Sequence, residues 1–210
     1  MEKLILFQGD SITDPERSKG GYPSMVAGEL GYRYPERYKC LNRGISGNRI
    51  VDMYARMKCD IINLAPDYMS LLIGVNDVWH DYEKIPNGVT TKKFEKIYNM
   101  LIEEIFEELP DIKLMILEPF VIKGMRTTTH ELHEDFYSVL RPLVEEKAAV
   151  ARAVAERFSL PFIPLQARFD ERYNPENPNY WTSDGVHPTF AGHTLIKHEW
   201  ISAFEKNFPA

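Results

Sequence analysis

Short apolar runs alternate along this chain with longer segments in which apolar residues recur at helical spacing. The runs predict five buried β-strands, of which the first begins at Leu4 and breaks at Gly9 and the others lie at 38–42, 68–73, 113–117 and 161–164. Helical spacing marks the segments 22–30, 49–63, 91–109, 134–158, 165–173 and 191–204. Pro142 stands where it could kink or divide the fourth of these helices, 134–158. Residues 174–184, rich in Pro and Asn, predict a loop.

Strands that alternate with helices indicate βαβ units and a parallel sheet. Right-handed crossovers place helices on both faces of such a sheet, so the pattern predicts a three-layer α/β/α sandwich. The 210 residues suffice for one domain, 1–210, with a full core, and the chain shows no internal repeat or linker. The order of the strands cannot be read from the pattern.

Three of the predicted strands end in small polar clusters that packing does not explain. A fourth cluster lies in the loop before the last helix. Because parallel strands all end at the same edge of a sheet, the first three clusters should meet in space. In chain order the four are Gly9-Asp10-Ser11, Gly44-Ile45-Ser46-Gly47-Asn48, Gly74-Val75-Asn76-Asp77 and Asp184-Gly185-Val186-His187-Pro188.

These clusters contain the residue types needed for nucleophilic catalysis. A serine hydroxyl attacks once a base takes its proton, and the base is usually an imidazole oriented by a carboxylate. Ser11 is the candidate nucleophile, His187 the candidate base, and Asp184, three residues earlier, the candidate orienting acid. An oxyanion needs donors, and the candidates are the Ser11 N–H, a glycine N–H of the second cluster and the Asn76 amide.

Each residue also has an ordinary structural interpretation. Ser11 and Asp184 could cap a helix or a turn. Gly44 and Gly47 could serve only to allow positive φ, and Asn76 could belong to a simple turn. Their occurrence together, at strand ends that must meet, favours the catalytic interpretation.

The four clusters resemble the sequence blocks of the SGNH hydrolases, also called GDSL-type esterases. The match spans nearly the whole chain in family order; its one departure is Thr13, where the family usually has leucine. The resemblance implies a flavodoxin-like sandwich with five parallel strands and no metal or other cofactor. It implies Ser11, His187 and Asp184 as the catalytic triad, Ser11, Gly47 and Asn76 as the oxyanion hole, and Asp10 and Asp77 as residues that support the two loops.

The longer phrases around these blocks resemble the acetylxylan esterase branch of the family. They are Gly-Asp-Ser-Ile-Thr-Asp, Asn-Arg-Gly-Ile-Ser-Gly-Asn, Ile-Gly-Val-Asn-Asp-Val-Trp and Val-His-Pro-Thr-Phe-Ala-Gly-His. The resemblance implies a serine esterase acting on short acyl esters, foremost O-acetyl groups of xylan-derived or other oligosaccharides.

Some local features agree with a sugar ligand. Trp79, Tyr180 and Trp181 are the candidate substrate-binding aromatics, although such rings could equally pack loops onto the domain. The polar stretch 123–133 is the candidate for a substrate-covering loop. The absence of an apolar lid disfavours a long-chain lipase, yet a lysophospholipase or thioesterase acting on lipid or CoA esters remains an alternative.

Composition limits the partners. The net charge of −6 disfavours nucleic acid and anionic membranes, and no apolar run approaches the ~20 residues that span a bilayer. The first strand begins at once, without a visible signal peptide, and Cys40 and Cys59 lack CxxC spacing. A cytoplasmic protein is therefore expected, although a mature form that has lost a signal peptide is not excluded. The sequence does not determine the oligomeric state, so a homo-oligomer is one of the open alternatives.

Three other functions deserve comparison. A metal-dependent phosphotransferase would want a second carboxylate two residues after Asp10, where Ile12 stands. A zinc site could use His130 and His133 or the cluster His187, His193 and His198, but no cysteine or carboxylate pattern completes a tetrahedral set. A non-catalytic carbohydrate-binding protein would explain the aromatic residues and leave the four blocks unexplained.

Overall fold

The computed structural model describes residues 2–15, 19–129 and 135–209. Its centre is a five-stranded, all-parallel sheet with the strand order β2-β1-β3-β4-β5. This is the flavodoxin-like order, and the predicted fold class is confirmed. The strands are β1 (Lys3–Gly9), β2 (Tyr38–Asn42), β3 (Tyr68–Leu72), β4 (Lys113–Leu117) and β5 (Phe162–Ile163).

Helices cover both faces of the sheet. Among the described residues they are α1 (Tyr22–Arg33), α2 (Ile50–Asp60), α3 (Val75–Trp79), α4 (Thr91–Glu108), α5 (Met125–Thr128), α6 (Phe136–Arg157), α7 (Gln166–Asp170) and α8 (Phe190–Asn207). Short 3₁₀ turns lie at Ile62–Leu64 and His80–Tyr82. Within these ranges, no helix is long and apolar enough to cross a membrane.

Successive side chains of β1 point to opposite faces of the sheet and join the two helix-covered cores on those faces. Ile5 and Phe7 join a core with α1 and α8, whereas Leu6 joins a second core with α2, α4 and the end of α6. Side chains of a strand point alternately to opposite faces, so a strand buried on both sides is apolar throughout. That is why these strands read as continuous apolar runs.

Several predicted boundaries differ from the structure. The helix predicted at 49–63 ends at Asp60 because Ile61 leaves helical geometry, with φ −134°, and a 3₁₀ turn follows. The helix containing Pro142 is continuous from Phe136, so a division at the proline was wrong. The segment 165–173 forms only the short α7, and α3 and α5 were not predicted. Residues 174–184 are loop, as predicted.

Candidate active site

The carboxyl edge of the sheet carries a cavity of about 160 Å³. The loops after β1, β2 and β3 meet there, and the loop before α8 closes one side. Parallel strands end at this edge, so residues far apart in sequence become neighbours. The cavity is lined by Ser11, Ser46, Gly47, Val75, Asn76, Trp79, His80, Glu83, Arg126, Val186 and His187.

A tight turn after β1 presents Ser11. Gly9 permits the turn because a Cβ there would lie 2.6 Å from the Leu72 carbonyl oxygen and 2.4 Å from Thr13 Oγ1. Asp10 closes it: Oδ1 accepts the Ile12 N–H at 3.0 Å, and the Asp10 carbonyl accepts the Thr13 N–H at 3.1 Å. The Ser11 hydroxyl is thereby held at the floor of the cavity.

Ser11, His187 and Asp184 form a continuous hydrogen-bonded chain. Ser11 Oγ lies 3.0 Å from His187 Nε2, and His187 Nδ1 lies 2.7 Å from Asp184 Oδ2. A carboxylate can only accept, so the ring proton is assigned to Nδ1 and Nε2 is left to accept from the serine hydroxyl. This is the arrangement in which an imidazole can act as general base toward a serine.

The turn 184–187 is organised by the same carboxylate. Asp184 Oδ1 accepts the Val186 N–H at 3.0 Å and the His187 N–H at 2.8 Å. Gly185 has φ +102°, and a Cβ there would lie 2.4 Å from Thr127 Oγ1, so only glycine fits. Burial alone would raise the pKa of Asp184, but the hydrogen bonds from His187 and Val186 outweigh it and lower the pKa to about 2. The carboxylate is therefore ionised at neutral pH.

Three residues that line the cavity, Ser11, Gly47 and Asn76, have hydrogen-bond donors to offer. The backbone N–H groups of Ser11 and Gly47 donate to no residue that the structure describes. The Asn76 amide donates one proton to the Asn48 carbonyl at 3.0 Å, which leaves its second proton available. These three groups can donate hydrogen bonds to an oxyanion that forms on a bound ester.

The two glycines of the second cluster differ in their surroundings. Gly47 lines the cavity with φ +80°. Gly44 instead packs against the nucleophile loop, where a Cβ would lie 2.6 Å from the Asp14 nitrogen, and its N–H donates to Asn42 Oδ1 at 2.9 Å. Gly44 therefore joins two loops, and its N–H is already engaged.

Asp77 is fully buried beneath the Asn76 loop. Its carboxyl accepts the Ile50 N–H at 3.0 and 3.2 Å, which anchors the start of α2 and with it the loop that carries Gly47. Burial raises the pKa of Asp77 to about 8, although the Ile50 hydrogen bond acts in the opposite direction. Asp10 and Asp77 thus each hold a loop of the site through backbone N–H groups.

The three candidate aromatics occupy different places. Trp79, at the end of α3, lines the cavity and packs edge-to-face against Phe136. Tyr180 and Trp181 are outside the cavity lining and pack against each other at 5.0 Å. Trp181 Nε1 donates to the Arg172 carbonyl at 2.8 Å. This hydrogen bond ties the loop before Asp184 to the segment that follows α7. The structure therefore brings only Trp79 to the candidate nucleophile.

Four polar or charged residues of the cavity lining were not singled out as site residues from the sequence: Ser46, His80, Glu83 and Arg126. Arg126 lies in the polar stretch 123–133, which was expected to cover the substrate; residues 130–133 of that stretch lie outside the described ranges. Ser46 belongs to the second cluster and His80 directly follows Trp79, so adjacency to Gly47 and Trp79 was the available signal.

The histidines do not gather into a metal site in the described ranges. His187 is bound to Ser11 and Asp184, the His193 ring stacks on Tyr22, and His198 is exposed on α8. Across residues 2–15, 19–129 and 135–209, no group of three metal-ligating side chains comes together. His130 and His133 lie outside the described residues.

Comparisons with known proteins show which family and which proteins this chain is similar to. The model of the GDSL-like Lipase/Acylhydrolase family matches residues 7–195. An acetylxylan esterase of Geobacillus stearothermophilus is 32% identical over 217 aligned positions, covering 95% of this chain and 92% of the relative.

Two solved structures illustrate the likeness. That of Axe2, an acetylxylan esterase from Geobacillus stearothermophilus, has a TM-score of 0.80 and 29% identity, covering 96% of this chain and 93% of the other. LAE5, an α/β hydrolase enzyme from the metagenome of Lake Arreo in Spain, has a TM-score of 0.78 and 27% identity, covering 96% and 94%. Their fold and length match this chain almost completely.

Proposed function

Since the chain belongs to the GDSL-like lipase/acylhydrolase family, it is a carboxylic ester hydrolase, and we propose that it removes acetyl groups from xylan-derived oligosaccharides by a Ser-His-Asp mechanism. The observation that carries the mechanism is the chain Ser11–His187–Asp184, with distances of 3.0 and 2.7 Å, next to three available donors. No metal or cofactor has a role in this mechanism.

In the first step, Ser11 Oγ attacks the acetyl carbonyl while His187 Nε2 takes the hydroxyl proton. Asp184 stabilises the imidazolium that forms and keeps the ring oriented. The carbonyl oxygen becomes an oxyanion that accepts from the Ser11 and Gly47 N–H groups and from the Asn76 amide. When the tetrahedral intermediate collapses, His187 gives the proton to the departing sugar hydroxyl and the acetyl group remains on Ser11.

In the second step, water attacks the acetyl-serine ester. His187 Nε2 removes the proton from this water, and the same three donors receive the second oxyanion. Collapse of this intermediate breaks the ester bond, returns the proton to Ser11 Oγ and releases acetic acid, which ionises to acetate in water. The enzyme is thereby restored without any further reactant.

The size of the cavity supports a short acyl group. Its 160 Å³ lie below the roughly 300–1,000 Å³ of pockets that bury drug-sized ligands. A long acyl chain would leave most of its apolar surface in water. Trp79 contributes an aromatic surface to the cavity lining, of the kind that packs against sugar rings. Relatives with this fold and length include acetylxylan esterases by name.

An acyl-length series tests this proposal. Hydrolysis of acetyl, butyryl, octanoyl and palmitoyl esters is measured beside release of acetate from acetylated xylo-oligosaccharides, with Ser11→Ala as the control. We expect acetyl esters to react fastest and the Ser11→Ala variant to lose about 10⁶-fold in kcat. A preference for long acyl chains would assign the protein to the lysophospholipases or thioesterases instead, and hydrolysis that survives Ser11→Ala would refute the mechanism.

A further inference from the structure

Arg126 is the only arginine or lysine among the described residues that line the cavity. Its side chain is 51% exposed, and its guanidinium carbon lies 4.9 Å from the centre of the Trp79 ring. Stacking on an aromatic face holds a guanidinium plane in one orientation while its edge stays free for hydrogen bonds. A charged donor group, stacked on Trp79, therefore lines the cavity that holds Ser11.

Buried contacts fix the backbone that carries this side chain. The Arg126 N–H donates to the Asp184 carbonyl at 2.9 Å, and the Ile122 N–H donates to the Gly185 carbonyl at 2.9 Å. Thr127, fully buried, accepts the Gly124 N–H at 2.8 Å through its hydroxyl. The short helix α5 is thus bound directly to the turn that carries Asp184 and His187.

The guanidinium of Arg126 lies within ion-pair distance of the triad carboxylate but makes no hydrogen bond to it. Its Nη1 lies 3.8 Å from Asp184 Oδ2, beyond hydrogen-bond distance, and that oxygen already accepts from His187 Nδ1. The other carboxylate oxygen accepts two backbone N–H groups. Across residues 2–15, 19–129 and 135–209, the guanidinium donates no hydrogen bond. As far as the described part of the chain goes, its five N–H groups are therefore free to donate to a ligand.

Glu83 is the acidic residue at the same rim. It is 52% exposed and lies 3.9 Å from His80 Nε2, and it forms no ion pair with Arg126. Glu83 therefore does not occupy the guanidinium of Arg126 through a direct ion pair. An anionic group bound beside Trp79 would lie next to this guanidinium.

We propose that Arg126 binds a carboxylate carried by the alcohol part of the ester, so that the preferred substrate is an acetylated oligosaccharide with an acidic sugar. A carboxylate matches the planar fork of a guanidinium with two parallel hydrogen bonds, and such charge-assisted pairs are stronger than neutral ones. The inference rests on the proposed function, because the acetyl group must be held by Ser11 while Arg126 holds the acid.

The experiment uses two acetylated xylo-oligosaccharides that differ only in whether they carry a uronic acid. The ratio of kcat/KM for the acidic and the neutral ester is measured in the wild type and in Arg126→Gln and Arg126→Lys. Arg152→Gln is the matched control: Arg152 is 49% exposed, lies 4.3 Å from the centre of the Phe162 ring and 3.9 Å from Glu118, and is outside this cavity.

We expect a wild-type ratio above one and a fall of about tenfold in Arg126→Gln, mainly through KM. Arg126→Lys should retain part of the preference because it keeps the charge and loses the planar fork. Arg152→Gln should keep the wild-type ratio. An unchanged ratio in Arg126→Gln, including an equal loss on both esters, would overturn the inference.

Failure of the inference can be told apart from failure of the proposed function. If acetyl esters are hydrolysed in a Ser11-dependent way and the ratio is indifferent to Arg126, only the acidic subsite is refuted. If neither ester is hydrolysed by the folded wild type, or if hydrolysis survives Ser11→Ala, the proposed function itself is refuted.

Discussion

Asp184 binds both the ring and the backbone of His187. Its Oδ2 lies 2.7 Å from His187 Nδ1, while its Oδ1 accepts the His187 N–H at 2.8 Å. One carboxylate therefore shapes the turn that places the imidazole and also orients the imidazole itself. The two effects can be separated by substitution, because only one of them requires a negative charge facing Nδ1.

Asp184→Asn and Asp184→Ala should differ in stability more than in activity. Asparagine keeps an oxygen for the Val186 and His187 N–H groups but presents a donor or a neutral oxygen to Nδ1, so kcat should fall by about 10⁴-fold with little loss of stability. Alanine leaves the buried Val186 N–H and the half-buried His187 N–H unpaired and should lower the free energy of unfolding by about 1–3 kcal/mol. Steady-state kinetics and urea unfolding measure both quantities. Equal stability of the two variants would contradict the dual role.

Asn76→Ala should lower kcat by about 10²–10³-fold while changing KM little, because an oxyanion donor acts mainly in the transition state. The amide's hydrogen bond to the Asn48 carbonyl is its only hydrogen bond to the described residues, so the fold should survive. Kinetics with an acetyl ester and a thermal melt test this. A raised KM at unchanged kcat would instead assign Asn76 to ground-state binding.

Trp79→Ala should raise KM for an acetylated xylo-oligosaccharide by about tenfold, which corresponds to about 1.4 kcal/mol of lost contact. Tyr180→Ala is the comparison, because Tyr180 is 53% exposed and lies outside the cavity lining. The KM of the Tyr180→Ala variant should stay within about twofold of the wild-type value. Measuring KM for the oligosaccharide and for a small acetyl ester separates sugar binding from acyl binding. A larger effect from Tyr180 would move the sugar-binding surface to the loop before Asp184.

His193 should make the protein less stable in acid. Burial, and to a smaller extent His187, lowers the pKa of His193 to about 4 from its ordinary value of 6.5, and Nδ1 accepts the Tyr22 N–H at 3.2 Å. Between pH 6.5 and 4 the unfolded chain binds a proton here that the native state does not bind, so the free energy of unfolding falls as the pH falls. The full effect is about 3 kcal/mol.

His193→Gln can test this because glutamine can still accept the Tyr22 N–H and does not titrate. Urea unfolding at pH 7.5 and at pH 4 should show the variant gaining about 3 kcal/mol relative to the wild type on acidification. His198→Gln, an exposed histidine on the same helix, serves as the control. Parallel pH profiles for wild type and His193→Gln would contradict the prediction.

The order of elements and the convergence of three polar clusters could be predicted without coordinates. Apolar runs at strand length and helical spacing between them require a parallel sheet with two helical layers. In such a sheet, Ser11, Gly47 and Asn76 must lie at one edge, because parallel strands all end there. Element boundaries were less certain, as the early end of α2 at Asp60 shows, because they depend on single backbone angles.

The amino-acid pattern by itself determined the fold class and the edge at which chemistry can occur, since both follow from strand direction and periodicity. Only the tertiary structure decided the strand order, the 3.0 Å approach of His187 to Ser11 across 176 residues, and the entry of Arg126 rather than Tyr180 into the cavity. These outcomes depend on how loops pack against distant partners, such as α5 against the Asp184 turn. No local pattern of residues carries that information.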